Sequence, residues 1–207
     1  MATANGCRAM PCINPPESVG LVLAGGLSSR MGRDKAGIEW RPGQTLLARA
    51  IELAEAAGCR QVIVSGHRPG HDFVADRRPA MGPLGGLDSV LQERGQALED
   101  KLLLVLPLDM PLLETGTLKA LLRAVGESES GAVFANGPLP MALRVGACVP
   151  ETVGAVLAGD GKHSLGELVQ ALELRVLDAV PGAQMENINR SEELARLRAA
   201  AGRKASS

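Results

Sequence analysis

The chain has 207 residues, 45% of them hydrophobic and 22% charged, and a formal net charge of −1. That length suits one domain with a full core, and the near-neutral balance excludes a global field that would gather nucleic acid or an anionic membrane. Trp40, Phe73 and Phe134 are the only aromatic residues, which argues against a single-strand stacking platform and leaves a bound purine to aliphatic side chains, backbone and hydrogen bonds.

Residues 1–17 carry Asn, Pro and Cys without periodicity and are expected to form a flexible tail. A first strand is expected over 19–23, followed by a Gly/Ser loop. Residues 37–43 read as a short connection containing Trp40. Thr45 can cap a helix carrying Leu46, Leu47, Ala50, Ile51, Ala54 and Ala57, with Gly58 as its stop. Residues 61–65 read as a second strand and 73–75 as a short third one. The run Gly82-Pro83-Leu84-Gly85-Gly86 reads as a turn, with a helix after it presenting Leu87, Val90 and Leu91. Residues 102–106 are continuously apolar, as in a parallel strand covered on both faces. A helix with Leu118, Leu121, Leu122 and Val125 follows and stops near Gly126.

The last third is less regular. Strands are expected over 132–135 and 141–145, joined through Gly137-Pro138. Pro150 can open a helix, and Ser164 with Glu167 has capping-box spacing. A strand over 174–177, the segment Asn187-Ile188-Asn189 and a helix from Ser191 complete the order, with 202–207 expected to fray. Alternating strands and helices predict an α/β fold: a single domain over 18–201, doubly wound around a mostly parallel sheet with helices on both faces. Ligands in such sheets sit beyond the carboxyl ends of the strands, where Gly25, Ser65 and Asp109 fall.

The stretch from Leu23 to Lys35 reads Leu-Ala-Gly-Gly-Leu-Ser-Ser-Arg-Met-Gly-Arg-Asp-Lys. Loop amides without bulky side chains approach phosphate oxygens closely, Arg30 offers a forked donor and Lys35 a point charge. A phosphorylated ligand, in particular a nucleotide, is expected there. Neither a Walker loop nor Gly-x-Gly-x-x-Gly is present. The four cysteines, Cys7, Cys12, Cys59 and Cys148, form no metal-binding spacing and read as buried or incidental thiols of a reducing compartment. With no apolar run of membrane-spanning length and no signal pattern, the expected location is cytoplasmic.

The first motif resembles the signature of nucleotidyltransferases that activate sugars and cofactors, and its Ala-Gly-Gly and Asp-Lys details are most similar to the molybdenum cofactor guanylyltransferases. Leu108-Asp109-Met110-Pro111 resembles their Asp-Met-Pro run, and Asn187-Ile188-Asn189-Arg190-Ser191-Glu192-Glu193-Leu194 resembles an Asn-x-Asn segment before a helix. The resemblance implies a Rossmann-like nucleotidyltransferase fold and transfer of GMP from GTP to the terminal phosphate of molybdopterin. It implies a catalytic set of Arg30, Lys35 and Asp109, with Asp109 also holding Mg²⁺. It implies nucleotide contacts from Leu23, Ala24, Gly25, Gly26, Lys35, Ser65, Asp76, Gly82 and Asp109, and acceptor-side contacts from Asn187 and Asn189. Partners implied are GTP, molybdopterin or the molybdenum cofactor, and other cofactor-biosynthesis proteins or recipient molybdoenzymes, with no nucleic acid and no membrane.

Several residues retain a second reading. Asp109 is equally suited to a turn before Met-Pro, Asn187 and Asn189 to an Asx turn and a helix cap, and Asp76 to an ion pair with Arg77 or Arg78. As a base reader, a carboxylate at Asp76 would accept from guanine N1–H and the 2-amino group together. Two departures from the family pattern stand out. Ser65 replaces an Asn near the nucleotide, and Leu139 replaces a polar residue on the acceptor side. His67, His71 and His163 are expected at the surface, with Lys162 and His163 able to face an anionic acceptor. The alternatives are a cytidylyltransferase or other nucleotidyltransferase of the same fold, and a non-catalytic nucleotide-binding module.

Overall fold

The computed structural model describes residues 16–25, 34–78, 81–126 and 129–204. Seven strands form one sheet in the order β5-β4-β1-β6-β8-β7-β9. These are β1 Ser18–Leu23, β4 Gln61–Ser65, β5 Phe73–Val74, β6 Leu102–Pro107, β7 Gly131–Phe134, β8 Gly137–Arg144 and β9 Arg175–Leu177. Among the described residues β8 alone runs antiparallel to its neighbours, so the sheet is mostly parallel, as the alternating pattern predicts. β2 Glu39–Arg41 and β3 Gln44–Thr45 form a separate hairpin.

The two-sided burial of β6 explains its unbroken apolar run. Leu103 and Val105 face α2 Gly82–Leu98, α4 Cys148–Ala158 and α5 Leu165–Ala171. Leu102, Leu104 and Leu106 face α1 Leu46–Ala57 and α3 Thr115–Ala124. A third apolar cluster joins Val22 and Val64 to Trp40, the start of α1, Ile188 and α6 Ser191–Lys204. The α1 cap forms as expected, with Thr45 Oγ1 accepting from the Ala48 N–H at 3.1 Å. Ser164 and Glu167 form the full capping box of α5. Cys59 is buried, and burial pushes its thiol up to about 12.

Gly20 marks the tightest contact of α1 on the sheet. A β-carbon there would stand 2.8 Å from Ala54 Cβ and 3.3 Å from a Val62 methyl. Gly20→Val is therefore expected to destabilise the protein by about 2–3 kcal/mol through overpacking, read as a fall in the thermal midpoint. An unchanged midpoint would contradict this packing.

Four expectations differ from the structure. The run from Gly82 to Gly86 is not a turn before a helix; it is the first turn and a half of α2. Pro83 suits a first turn, where its missing N–H has no intrahelical partner. Gly86 lies inside the helix where α2 presses on β4, and a β-carbon there would lie 2.3 Å from Ser65 Oγ. Residues 37–43 are not a plain connection but lead into the β2–β3 hairpin, which forms because Trp40 is 1% exposed and needs a fixed strand to enter the core. The strand expected over 141–145 begins earlier, at Gly137. Pro138 and Pro140 fit there because pairing with β6 starts only at Met141, so their missing donors break no ladder. α4 begins at Cys148, two positions before Pro150.

Candidate active site

Register aligns the carboxyl ends of the adjacent parallel strands β4, β1 and β6. Leu23 pairs with Ser65 on one side and with Pro107 on the other. The segments leaving these strands open a crevice of about 870 Å³, whose walls include Leu23, Ala24, Gly25, Lys35, Ser65, Asp76, Gly82, Asp109 and Asn187. Nine of the anticipated residues thus meet in one place, beyond the strand ends as the fold rule requires. Asn189 joins them through Lys35. Gly26 and Arg30 lie outside the described residues.

One end of the crevice is built around Asp76. Ser65 Oγ donates to Asp76 Oδ1 at 2.8 Å. The other carboxylate oxygen lies over Gly25, where a β-carbon would stand 1.8 Å from Oδ2. No residue but glycine admits the carboxylate there. The next residue is anchored as well: the Arg77 N–H donates to Ser89 Oγ, which donates to the Gly85 carbonyl. Asp76 forms no ion pair with Arg77 or Arg78 among the described residues. Ser65 is 1% exposed, and its hydroxyl holds the carboxylate. Gly82, at the start of α2, lines the same wall.

The other end carries the charges. Asp34 caps a single 3-10 turn, Lys35–Gly37, by accepting from the Ala36 N–H at 3.1 Å. Among the described residues this 3-10 turn is the only helical segment between β1 and α1. Lys35 Nζ donates to Asp109 Oδ2 at 2.8 Å and to Asn189 Oδ1 at 2.9 Å. The Asp109 carbonyl accepts from the Ile188 N–H at 2.9 Å, which fastens the Asn-x-Asn segment to the end of β6. Ile188 is fully buried while Asn187 and Asn189 are exposed on either side of it. The segment is not a sheet strand, yet it alternates as one would.

Glu193 sets that segment's conformation. Its Oε2 accepts from the Asn189 N–H at 2.6 Å and from the Arg190 N–H at 3.0 Å. The Asn189 and Arg190 amides, in that order, hold its carboxyl below the usual carboxylate range. A depressed folded value means that the stabilisation is complete above the unfolded value, roughly pH 4.3, and is lost as pH falls through the folded one. Glu193→Gln is expected to cost a small amount of stability at pH 7, and the difference from wild type should be smaller at pH 3. Denaturant unfolding at both pH values checks this, and a difference that does not change with pH would contradict it.

Lys162 and His163 line the crevice. His163 is half-buried, with Nδ1 3.0 Å from the Val156 carbonyl, so it is less of a surface residue than its sequence context suggests. His67 packs edge-on against Phe73, with ring centroids 4.8 Å apart, away from the crevice walls. Leu139 lines the crevice and is 8% exposed. Three contributors were given no role by the sequence, although Asp34 stands in its first motif. Asp34 is the capping residue beside Lys35. Asn136 bonds both backbone groups of Val180 from the crevice rim. Arg68 reaches Ala24 and Asp34. Arg68 lies three positions past the end of β4, so the strand-end rule itself pointed toward it.

Among the described residues no group of three or more His, Cys, Asp or Glu side chains is placed to hold a metal ion. The Asp109 carboxylate and the Asn189 amide oxygen do converge on one cation, the Lys35 ammonium. Among the described residues no helix is long and apolar enough to cross a membrane.

The family profile of the MobA-like NTP transferase domain matches residues 20–176. A molybdenum cofactor guanylyltransferase of Xanthomonas euvesicatoria pv. vesicatoria is 40% identical over 86% of this chain and 93% of its own length. A phosphoenolpyruvate guanylyltransferase of Rubrobacter xylanophilus is 31% identical over 86% of this chain and 90% of its own. A nucleotidyl transferase structure from Methanothermobacter superposes with a TM-score of 0.68 at 20% identity, covering 91% of this chain and 99% of that one, a likeness of fold. On the span of the profile match and on these identities, the chain belongs to the MobA-like NTP transferase family.

Proposed function

We propose that this protein transfers GMP from GTP to the terminal phosphate of molybdopterin, releasing pyrophosphate and forming the guanine dinucleotide cofactor. The observation that carries the reading is the pairing, in one crevice, of a fixed carboxylate at Asp76 with a cation at Lys35 held by Asp109 and Asn189. The relatives' names support the same substrates.

Asp76 reads the base. Held by Ser65 and by Gly25, its carboxylate is pre-aimed to accept from guanine N1–H and the 2-amino group, a donor pair that cytosine lacks. Lys35 lies on the phosphate side. An oxygen of the acceptor phosphate attacks the α-phosphorus as the bond to the pyrophosphate oxygen breaks. That oxygen is already ionised, so no general base is required, and the protein's part is positioning and charge neutralisation. Asn187 and Asn189, beside Asp109, orient the acceptor. The residues fit a hard divalent cation, because carboxylate and amide oxygens already surround a positive charge and nucleotide phosphates supply further oxygens. Asp109 would hold Mg²⁺, which when bound would supply further neutralisation of phosphate charge.

Pyrophosphate release measured with molybdopterin, Mg²⁺ and GTP, CTP or ATP in parallel tests this reading. Release with GTP alone is expected; release with CTP alone would overturn the base assignment. Asp76→Asn replaces one acceptor oxygen by a donor and is expected to cut the preference for GTP by about 10–100-fold. An unchanged preference would remove Asp76 from base reading.

A further inference from the structure

Arg68 touches both halves of this site without lining the crevice. Its Nη2 donates to the Ala24 carbonyl at 2.8 Å and to Asp34 Oδ1 at 2.9 Å, and its Nη1 to the His67 carbonyl at 3.2 Å. Ala24 is fixed on its other side, since its N–H donates to the Ser65 carbonyl at 3.1 Å. The next residue is Gly25, on which the Asp76 carboxylate rests. Asp34 Oδ1 is the same atom that caps the turn carrying Lys35. One guanidinium nitrogen therefore joins the base-reading end to the charged end.

Stability alone is a poor explanation for this arrangement. Asp34 is 57% exposed, and ion pairs of that exposure contribute little. Arg68 Nε is buried with no partner among the described residues, and an unsatisfied donor costs stability. The guanidinium is planar and rigid, so two acceptors on one nitrogen are fixed in distance and direction.

We propose, resting on the reading that Lys35 serves nucleotidyl transfer, that Arg68 is a positioning residue. It sets the spacing between Gly25 and Lys35 by pinning Ala24 and Asp34 to a single nitrogen, and it touches neither nucleotide nor acceptor. A lysine at this position offers a point charge without the fixed fork and restores the spacing only in part.

The test compares wild type, Arg68→Ala, Arg68→Lys, Asp34→Ala and the Arg68→Ala/Asp34→Ala double variant, each as the full chain. In the absence of any substrate, amide hydrogen exchange at Ala36 is expected to rise about tenfold or more in Arg68→Ala, while exchange at Val22 and Val105 stays at the wild-type rate. With whichever nucleotide the wild type turns over, kcat is expected to fall about 10–100-fold in Arg68→Ala, with KM changed less than threefold and partial recovery in Arg68→Lys. The double variant should be no slower than the slower single one, since both break the same link. Unchanged Ala36 exchange, multiplicative losses in the double variant, or a rise in KM at constant kcat would each overturn the proposal. A merely structural role would instead raise exchange in β1 and β6 as well. A wrong nucleotide assignment would change the substrate preference of every variant, wild type included, and leave the exchange comparison to decide.

Discussion

Lys35→Ala is expected to lower kcat by about 10²–10³-fold while KM for GTP changes less than about threefold. Lys35 is a half-buried ammonium with two oxygen partners, Asp109 Oδ2 at 2.8 Å and Asn189 Oδ1 at 2.9 Å. On the proposed reading bound GTP is held through its base at Asp76 as well, so ground-state affinity does not rest on Lys35 alone. During transfer, charge builds on the oxygen leaving with pyrophosphate, and a pre-placed cation stabilises that charge more than it stabilises bound GTP. Lys35→Arg should not restore the rate, because a guanidinium is broader and spreads over three nitrogens the charge that the ammonium concentrates at one point between these two oxygens. Steady-state kinetics with both variants decide the matter. Equal losses in kcat and in GTP affinity would show Lys35 to be a ground-state phosphate contact only.

Gly25→Ala is expected to reduce kcat/KM for GTP by about 10²-fold, or about 2.7 kcal/mol of transition-state stabilisation. The added carbon would lie 1.8 Å from Asp76 Oδ2, so the carboxylate must leave its place and its bond from Ser65. The fold should tolerate the change, since Gly25 is exposed at the crevice and lies past the end of β1. The thermal midpoint should therefore stay within a few degrees of wild type. Combining Gly25→Ala with Asp76→Ala should cost no more than Asp76→Ala alone, because both remove the same contact. Full additivity would mean that Gly25 acts on the nucleotide independently of Asp76.

Much of this arrangement was legible in local patterns. The apolar runs of β1, β4 and β6 stand out because strands buried on both faces need no alternation. Their ends locate Gly25, Ser65 and Asp109 in one crevice without further information. The caps at Thr45 and Ser164 are local rules that the structure follows. What sequence reasoning missed depends on distant partners. Arg68 meets Ala24 and Asp34 at separations of 44 and 34 residues, with no periodicity to betray it. Glycines 82, 85 and 86 suggest a turn on propensity alone, yet they open α2, and at Gly86 the close approach of the helix to Ser65 leaves no room for a side chain. Trp40 looks like a loop residue until the hairpin that carries it into the third core cluster is seen. Asp76 gave no local sign of whether it pairs with its neighbouring arginines or with Ser65, eleven residues away.

The most direct test of guanylyl transfer follows the α-phosphate. GTP labelled at the α-phosphate is incubated with the full chain, Mg²⁺ and molybdopterin, with phosphoenolpyruvate as acceptor in a parallel reaction. The account predicts label in the molybdopterin dinucleotide, none on phosphoenolpyruvate, and a γ-label recovered only as pyrophosphate. Label on phosphoenolpyruvate, or no α-label on molybdopterin while GTP binds tightly, would contradict it.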